Sequence, residues 1–110
     1  MQLPPLGCGL ADLDTPCLLV DLDAMERNIR RMVEYCRSHG VAWRPHAKSY
    51  KSSAIGRKVV DAGAIGVTCA KLGEAEVMAD AGVRDLLIAN PLVGRLKLAR
   101  LIELRRRADP

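Results

Sequence analysis

Three times along this chain a helix-periodic apolar stretch ends at a glycine and gives way to a strand-like run, and no other feature constrains the fold as much. Met25, Ile29, Met32, Val33 and Cys36 recur at helical spacing, and Gly40 follows as the residue best suited to the left-handed end of a helix. Asp23 with Glu26 three residues later reads as a capping box and sets the expected start. The order returns in a second expected helix over 53–62 ended by Gly63, and in a third over 72–81 ended by Gly82. The strand-like runs are 17–21, 41–46, 65–70 and 85–90, and a fourth expected helix covers 94–107.

Strands that alternate with helices of this length build βαβ units around a parallel sheet, so the expected fold class is α/β. The right-handed preference of such crossovers places successive helices on one side of the sheet. A leucine-rich repeat is the other periodic solution, but the L-x-x-L-x-L-x-x-N pattern is absent and the helices are too long. Three complete strand-helix units after a preliminary strand and helix fall short of a closed (βα)8 barrel, which takes about 250 residues. A barrel is therefore expected to be incomplete within these 110 residues, with an unpaired sheet edge that favours instability or self-association.

Composition removes several classes of function. The apolar fraction is 49% and the charged fraction 27%, ordinary for a globular chain. The longest apolar runs, such as Leu86 to Ala89, are far shorter than the roughly 20 residues of a membrane span. Residues 1–16 carry Asp12 and Asp14 and no basic or apolar leader pattern, so a cytoplasmic location is expected. The net charge of +4 comes from basic residues scattered beside acids, with Trp43, Tyr35 and Tyr50 the only aromatics, which argues against a nucleic-acid surface. Arg105, Arg106 and Arg107 suit the last turn of a helix, where cations meet the negative dipole end. Cys8, Cys17, Cys36 and Cys69 show no C-x-x-C spacing and are expected to be reduced residues of the core.

The run Trp43-Arg44-Pro45-His46-Ala47-Lys48 ends a strand, the place where barrel enzymes keep their active sites. Side chains alternate along a strand, so Val41, Trp43 and Pro45 should face the helices while Arg44, His46 and Lys48 share the opposite face. Spacing alone is equally met by a solvated loop. A functional lysine here would present its neutral amine to an aldehyde, and Arg44, His46 and Lys51 would supply the positive field that this chemistry favours.

Asp14-Thr15-Pro16-Cys17-Leu18-Leu19-Val20-Asp21, Arg44-Pro45-His46-Ala47-Lys48, Glu74-Ala75-Glu76 and Leu87-Ile88-Ala89-Asn90-Pro91 together resemble the opening of the D-threonine aldolase and D-serine dehydratase family. These are alanine racemase-like, fold-type III pyridoxal-phosphate enzymes. The resemblance implies a single domain over 1–110 that forms the N-terminal part of a (βα)8 TIM barrel. It makes Lys48 the catalytic Schiff-base lysine, and it adds His46, Arg44 and Asn90 as cofactor-binding candidates. It implies a D-amino acid substrate, a homodimer in the complete protein, and, in members that use one, a divalent metal held by residues beyond this chain. Ser49 and Tyr50 stand where relatives often have Thr and His, which leaves the subfamily open. A lyase reaction, aldol cleavage or dehydration of a D-β-hydroxy amino acid, is expected first. A racemase of the same fold and a non-catalytic cofactor-binding fragment are the alternatives, because fold and anchor lysine do not select the bond that breaks.

The remaining polar residues have ordinary roles available. His39 should lie at the end of the first helix, exposed or capping; Thr68 and Cys69 should pack or hydrogen-bond; Glu74 and Glu76 suit the positive end of a helix dipole.

Overall fold

The computed structural model describes residues 5–110. The first four residues, part of the stretch read for a leader, lie outside the described residues. Helix α1 spans Leu22–Ser38, α2 Ser53–Asp61, α3 Leu72–Asp80 and α4 Arg95–Arg105. Strand β1 is Val67–Cys69 and β2 is Leu86–Ile88, and they pair in parallel with Val67 opposite Leu86 and Cys69 opposite Ile88.

All four expected helices are present, with bounds shifted by a residue or so at most ends. The start of α1 is a correction. Asp21, not Asp23, is the N-cap, and its carboxylate accepts from the Ala24 amide at 2.8 Å. Val20-Asp21-Leu22-Asp23 offers two acidic caps, and the earlier one wins because its extended backbone lets the carboxylate turn back onto the first turn. Glu26, freed from a capping box, reaches across to Lys58 at 2.6 Å. That contact holds its carboxyl below the usual range, with the Lys58 hydrogen bond the main cause. Gly40, Gly63 and Gly82 follow their helices with φ of 64°, 122° and 84°, a region that costs a side-chain-bearing residue.

The strands are shorter than expected. Residues 17–21 and 41–45 form no strand, with Asp21 capping α1, and of the expected 41–46 run only His46 joins the sheet, through a parallel bridge to Thr68. Backbone bonds from the Ile65 amide to Trp43 O (3.0 Å) and from Thr68 to Pro45 O (2.8 Å) align 43–46 beside β1. On the other side Asp85 bridges Asp109, and the Leu86 amide donates to Asp109 O at 2.8 Å. Every one of these pairings is parallel, as the helix-strand alternation requires.

The core lies on the helix side of the sheet. Val67 and Cys69 are 0% exposed, and Leu86 is 3%, beneath Val59, Leu72, Ala75, Met78, Val83 and Leu104. The expected stripe of α1 is only partly filled. Ile29 is buried, Met25, Val33 and Cys36 are half-buried, and Met32 is exposed. Arg27, Arg30, Arg31 and Glu34 face water as expected. Replacing Ile29 with alanine should cost about 2 to 4 kcal/mol in urea unfolding. A loss below about 0.5 kcal/mol, typical of a free surface position, would show that α1 is not packed on the sheet.

Several apolar side chains remain on the surface: Leu18, Leu19 and Val20 in the extended segment before α1, and Leu96 and Ile102 on α4. The cysteines are all free, but only Cys69 lies in the core: Cys8 and Cys36 are half-buried, and Cys17 is exposed in the segment before α1. No helix among the described residues is long and apolar enough to cross a membrane.

Candidate active site at the strand ends

The run from Arg44 to Lys51 leaves the sheet in three steps. His46 is the last residue with a strand partner, a short 3-10 turn over Ala47–Ser49 follows, and Ser52 then caps α2 by accepting from the Ile55 amide. The turn is tied locally. The His46 Nδ1 accepts from the Lys48 amide at 3.3 Å, the Ser49 hydroxyl donates to His46 O at 3.2 Å, and the Lys51 amide donates to Ala47 O at 2.8 Å. Ala47 is buried and anchors the turn from below, while Lys48 is exposed. The Lys48 amine has no hydrogen-bond or ion-pair partner among the described residues, so it is available to an incoming carbonyl. A primary amine on a braced turn at the carboxyl end of parallel strands is a donor that fits an aldehyde cofactor.

His46 is half-buried and fixes the backbone of this turn, and Asn90 is exposed in the bend after β2. Both therefore lie at the same, carboxyl, end of the sheet as Lys48. Arg44 does not. Its guanidinium reaches Asp85, at the amino end of β2, with Nη1 2.5 Å from Oδ1, and the pair is part-buried. Lys51 lies in the turn before α2 with φ 45°, a conformation that costs a non-glycine residue about 1 kcal/mol. With Ala47, Lys71 and Glu74 it lines a cavity of about 210 Å³.

The acids of the Glu-Ala-Glu segment are engaged in the fold. Glu74 accepts from the Ala70 amide at 2.7 Å and so closes the turn between β1 and α3. Glu76 binds Arg100 of α4, with Nε 2.8 Å from its oxygen, and that hydrogen bond holds its carboxyl below the usual range. His39 caps α1 at its exposed end, its Nδ1 2.8 Å from Tyr35 O. Thr68 is buried beside His46, and burial pushes the Cys69 thiol up to about 11, with Glu74 adding to it, so this thiol is a core group. No cluster of three or more His, Cys, Asp or Glu side chains among the described residues is arranged to hold a metal.

A larger apolar groove of about 620 Å³ runs between α1 and the helix-facing side of residues 43–45, lined by Leu19, Met25, Ile29, Trp43 and Tyr50 among others. Neither His46 nor Lys48 lines it. The Tyr50 hydroxyl is buried there with no partner among the described residues, and burial raises its pKa, with Cys69 a smaller cause. A buried hydroxyl without a partner gives up its water for nothing, so Tyr50→Phe should stabilise the fold by about 1 kcal/mol. A loss of that size in thermal unfolding would mean that the hydroxyl does find a partner.

Sequence reasoning missed Asp85 as the partner of Arg44. Its only sequence signal was an acid at the first position of a strand-like run, on the face shared with Arg44.

No family model matches the chain. A 3-hydroxy-D-aspartate aldolase from Paracoccus denitrificans is 41% identical over 106 residues, which is 94% of this chain and 27% of that protein. A D-threo-3-hydroxyaspartate dehydratase from Delftia sp. is 42% identical over 98 residues, 89% of this chain and 26% of that protein. The crystal structure of D-threonine aldolase from Filomicrobium marinum superposes with a TM-score of 0.87 at 52% identity, covering 90% of this chain and 27% of that one. The chain thus spans about a quarter of the length of the curated relatives it matches. Over about 90% of its length it matches the D-threonine aldolase-like family, in the N-terminal part only.

Proposed function

We propose that the whole protein carrying this chain is a pyridoxal-phosphate lyase that cleaves or dehydrates D-β-hydroxy amino acids, with the cofactor joined to Lys48. The observation that carries the proposal is the unpartnered Lys48 amine on a braced turn at the strand ends, in a chain more than 40% identical to proteins named as D-specific aldolases and a dehydratase. Bound there, pyridoxal phosphate would supply an electron sink for the charge left on the amino-acid carbon. The chain's own part is to present the Lys48 amine, to hold its turn through His46 Nδ1, and to offer Asn90 as a polar contact from the neighbouring strand end. Displaced from the cofactor, the Lys48 Nζ is the group that carries a proton to and from the substrate.

The same proposal takes the chain as the N-terminal part of an alanine racemase-like (βα)8 barrel in a cytoplasmic homodimer, with neither nucleic acid nor membrane as partner. Any divalent metal would be held by residues beyond this chain. The test is product analysis with D-threonine and D-threo-3-hydroxyaspartate on the complete protein. Glycine with an aldehyde marks aldol cleavage; a 2-oxo acid with ammonia marks dehydration. Recovery of the opposite enantiomer alone would make the protein a racemase, and no turnover of either substrate would overturn the lyase proposal.

A further inference from the structure

The parallel register puts Arg44, Gly66, Asp85 and Asp109 in one row across the sheet. His46 pairs with Thr68, so two residues earlier Arg44 stands opposite Gly66; Val67 pairs with Leu86, so one residue earlier Gly66 stands opposite Asp85; and Asp85 bridges Asp109. The Arg44 side chain crosses the whole middle strand to reach Asp85, with Nη1 2.5 Å from Oδ1. It can do so only because position 66 has no side chain. A Cβ there would lie 2.7 Å from Arg44 Nη1 and 2.1 Å from Asp85 O. Arg44 is the more enclosed partner, its side chain 22% exposed against 46% for Asp85.

We infer that Arg44 is a positioning residue for Lys48: clamped to Asp85 over Gly66, it helps to fix how far the segment that ends at His46 and leads into the Lys48 turn projects beyond its neighbours. Residues 41–45 form no strand: the bonds from Ile65 and Thr68 hold them beside β1, the Val41 amide donates to Cys36 O at 3.0 Å, and Trp43 packs against the core. Among the described residues the clamp is the side-chain hydrogen bond that ties this segment to the residue just before β2, and Arg44 lies on the same face as His46, two residues before it. Pro45 and His46, which separate Arg44 from the turn that carries Lys48, are paired with Thr68, so an axial slip at Arg44 loads that pairing and through it the turn. Displacements of about 1 Å at a reacting group cost on the order of a hundredfold in rate. The inference rests on the assignment of Lys48 as the cofactor lysine, and it replaces direct contact with the cofactor as the role of Arg44.

A double-mutant cycle on the complete protein tests it, using Arg44→Met, Asp85→Leu and the pair together. Each single change should lower kcat by about 10- to 100-fold with little change in KM, and the double variant should be no worse than the poorer single. Arg44→Lys should recover most of the turnover. In the cofactor-free protein, amide exchange of the 43–49 peptide should quicken in both single variants while that of α1 stays unchanged. Losses that multiply in the double variant would mean that Arg44 touches cofactor or substrate by itself. Unchanged kcat and unchanged exchange, with only a lower Tm, would make the pair purely structural. Both results overturn the inference. If Arg44→Met does not fold, Arg44→Lys with Asp85→Asn completes the same cycle. Borohydride labelling away from Lys48 in the unaltered protein would sink the cofactor assignment alone, since exchange of the 43–49 peptide still judges the clamp.

Discussion

Lys48→Ala should abolish turnover by the complete protein and with it the visible absorbance of lysine-bound cofactor. Its amine has no hydrogen-bond or ion-pair partner among the described residues and stands on a turn braced by its neighbours, with Ala47 buried beneath and His46 Nδ1 accepting from the Lys48 amide. The loss should be total at the level of an assay, several thousandfold or more, because a nucleophile that forms a covalent link has no substitute in an alanine methyl. Stability should hardly change, since Lys48 is exposed. Borohydride reduction followed by peptide mapping should place the pyridoxyl group on the Lys48 peptide. Labelling at Lys51 would refute the assignment while leaving the family match untouched. Lys51 is the weaker candidate in the structure because its backbone has turned to φ 45° and its side chain lines the cavity beside Lys71 and Glu74.

Gly66→Ala should be the most destabilising single methyl that the chain can receive in its sheet. The added carbon would meet a main-chain oxygen at 2.1 Å, and the carbonyl concerned accepts the Val67 amide at 3.1 Å. A flexible side chain could swing away; a paired carbonyl cannot move without breaking the ladder. We expect a loss of about 3 kcal/mol or more, at the upper end of overpacking effects, measured by urea unfolding. Gly56→Ala is the useful comparison. Its added carbon would meet Met78 Sδ at 2.6 Å, but that contact is a flexible side chain, so the cost should be smaller. Equal losses at the two positions would show that the sheet gives way as easily as a methionine.

Local grammar and long-range pairing were not equally legible in the sequence. Helices α1 to α4 could be read because periodicity, caps and terminal glycines are all coded within a few residues of where they act. Even there the choice between Asp21 and Asp23 as cap was open, since both are adjacent acids and only the backbone at the helix entrance separates them. Strand extent was overestimated for a different reason. Alternation prescribes an extended backbone, but a strand also needs hydrogen-bonding neighbours, and residues 17–20 have none among the described residues. Within 41–46 the alternation holds for Trp43 and Pro45, which line the groove against α1 while Arg44 and His46 do not, but Val41, expected on the helix side, is exposed. The family resemblance rested on motif order and held over nearly the whole chain. The Arg44–Asp85 clamp could not be read at all, because it joins positions 41 residues apart and depends on a glycine in a third strand.

The sheet's two sides separate fold from chemistry at single-residue resolution. Val67, Cys69 and Leu86, on the helix side, admit almost no change of volume, while Leu87, between buried Leu86 and half-buried Ile88, is 49% exposed and its substitution leaves no hole. His46, Thr68 and Leu87 form one row on the opposite face, but Thr68 is buried and His46 braces the Lys48 turn, so Leu87 is the member of the row that meets solvent. A lineage, or a library, can therefore vary Leu87 without renegotiating the core, while its two neighbours in the row stay tied to the turn and the sheet.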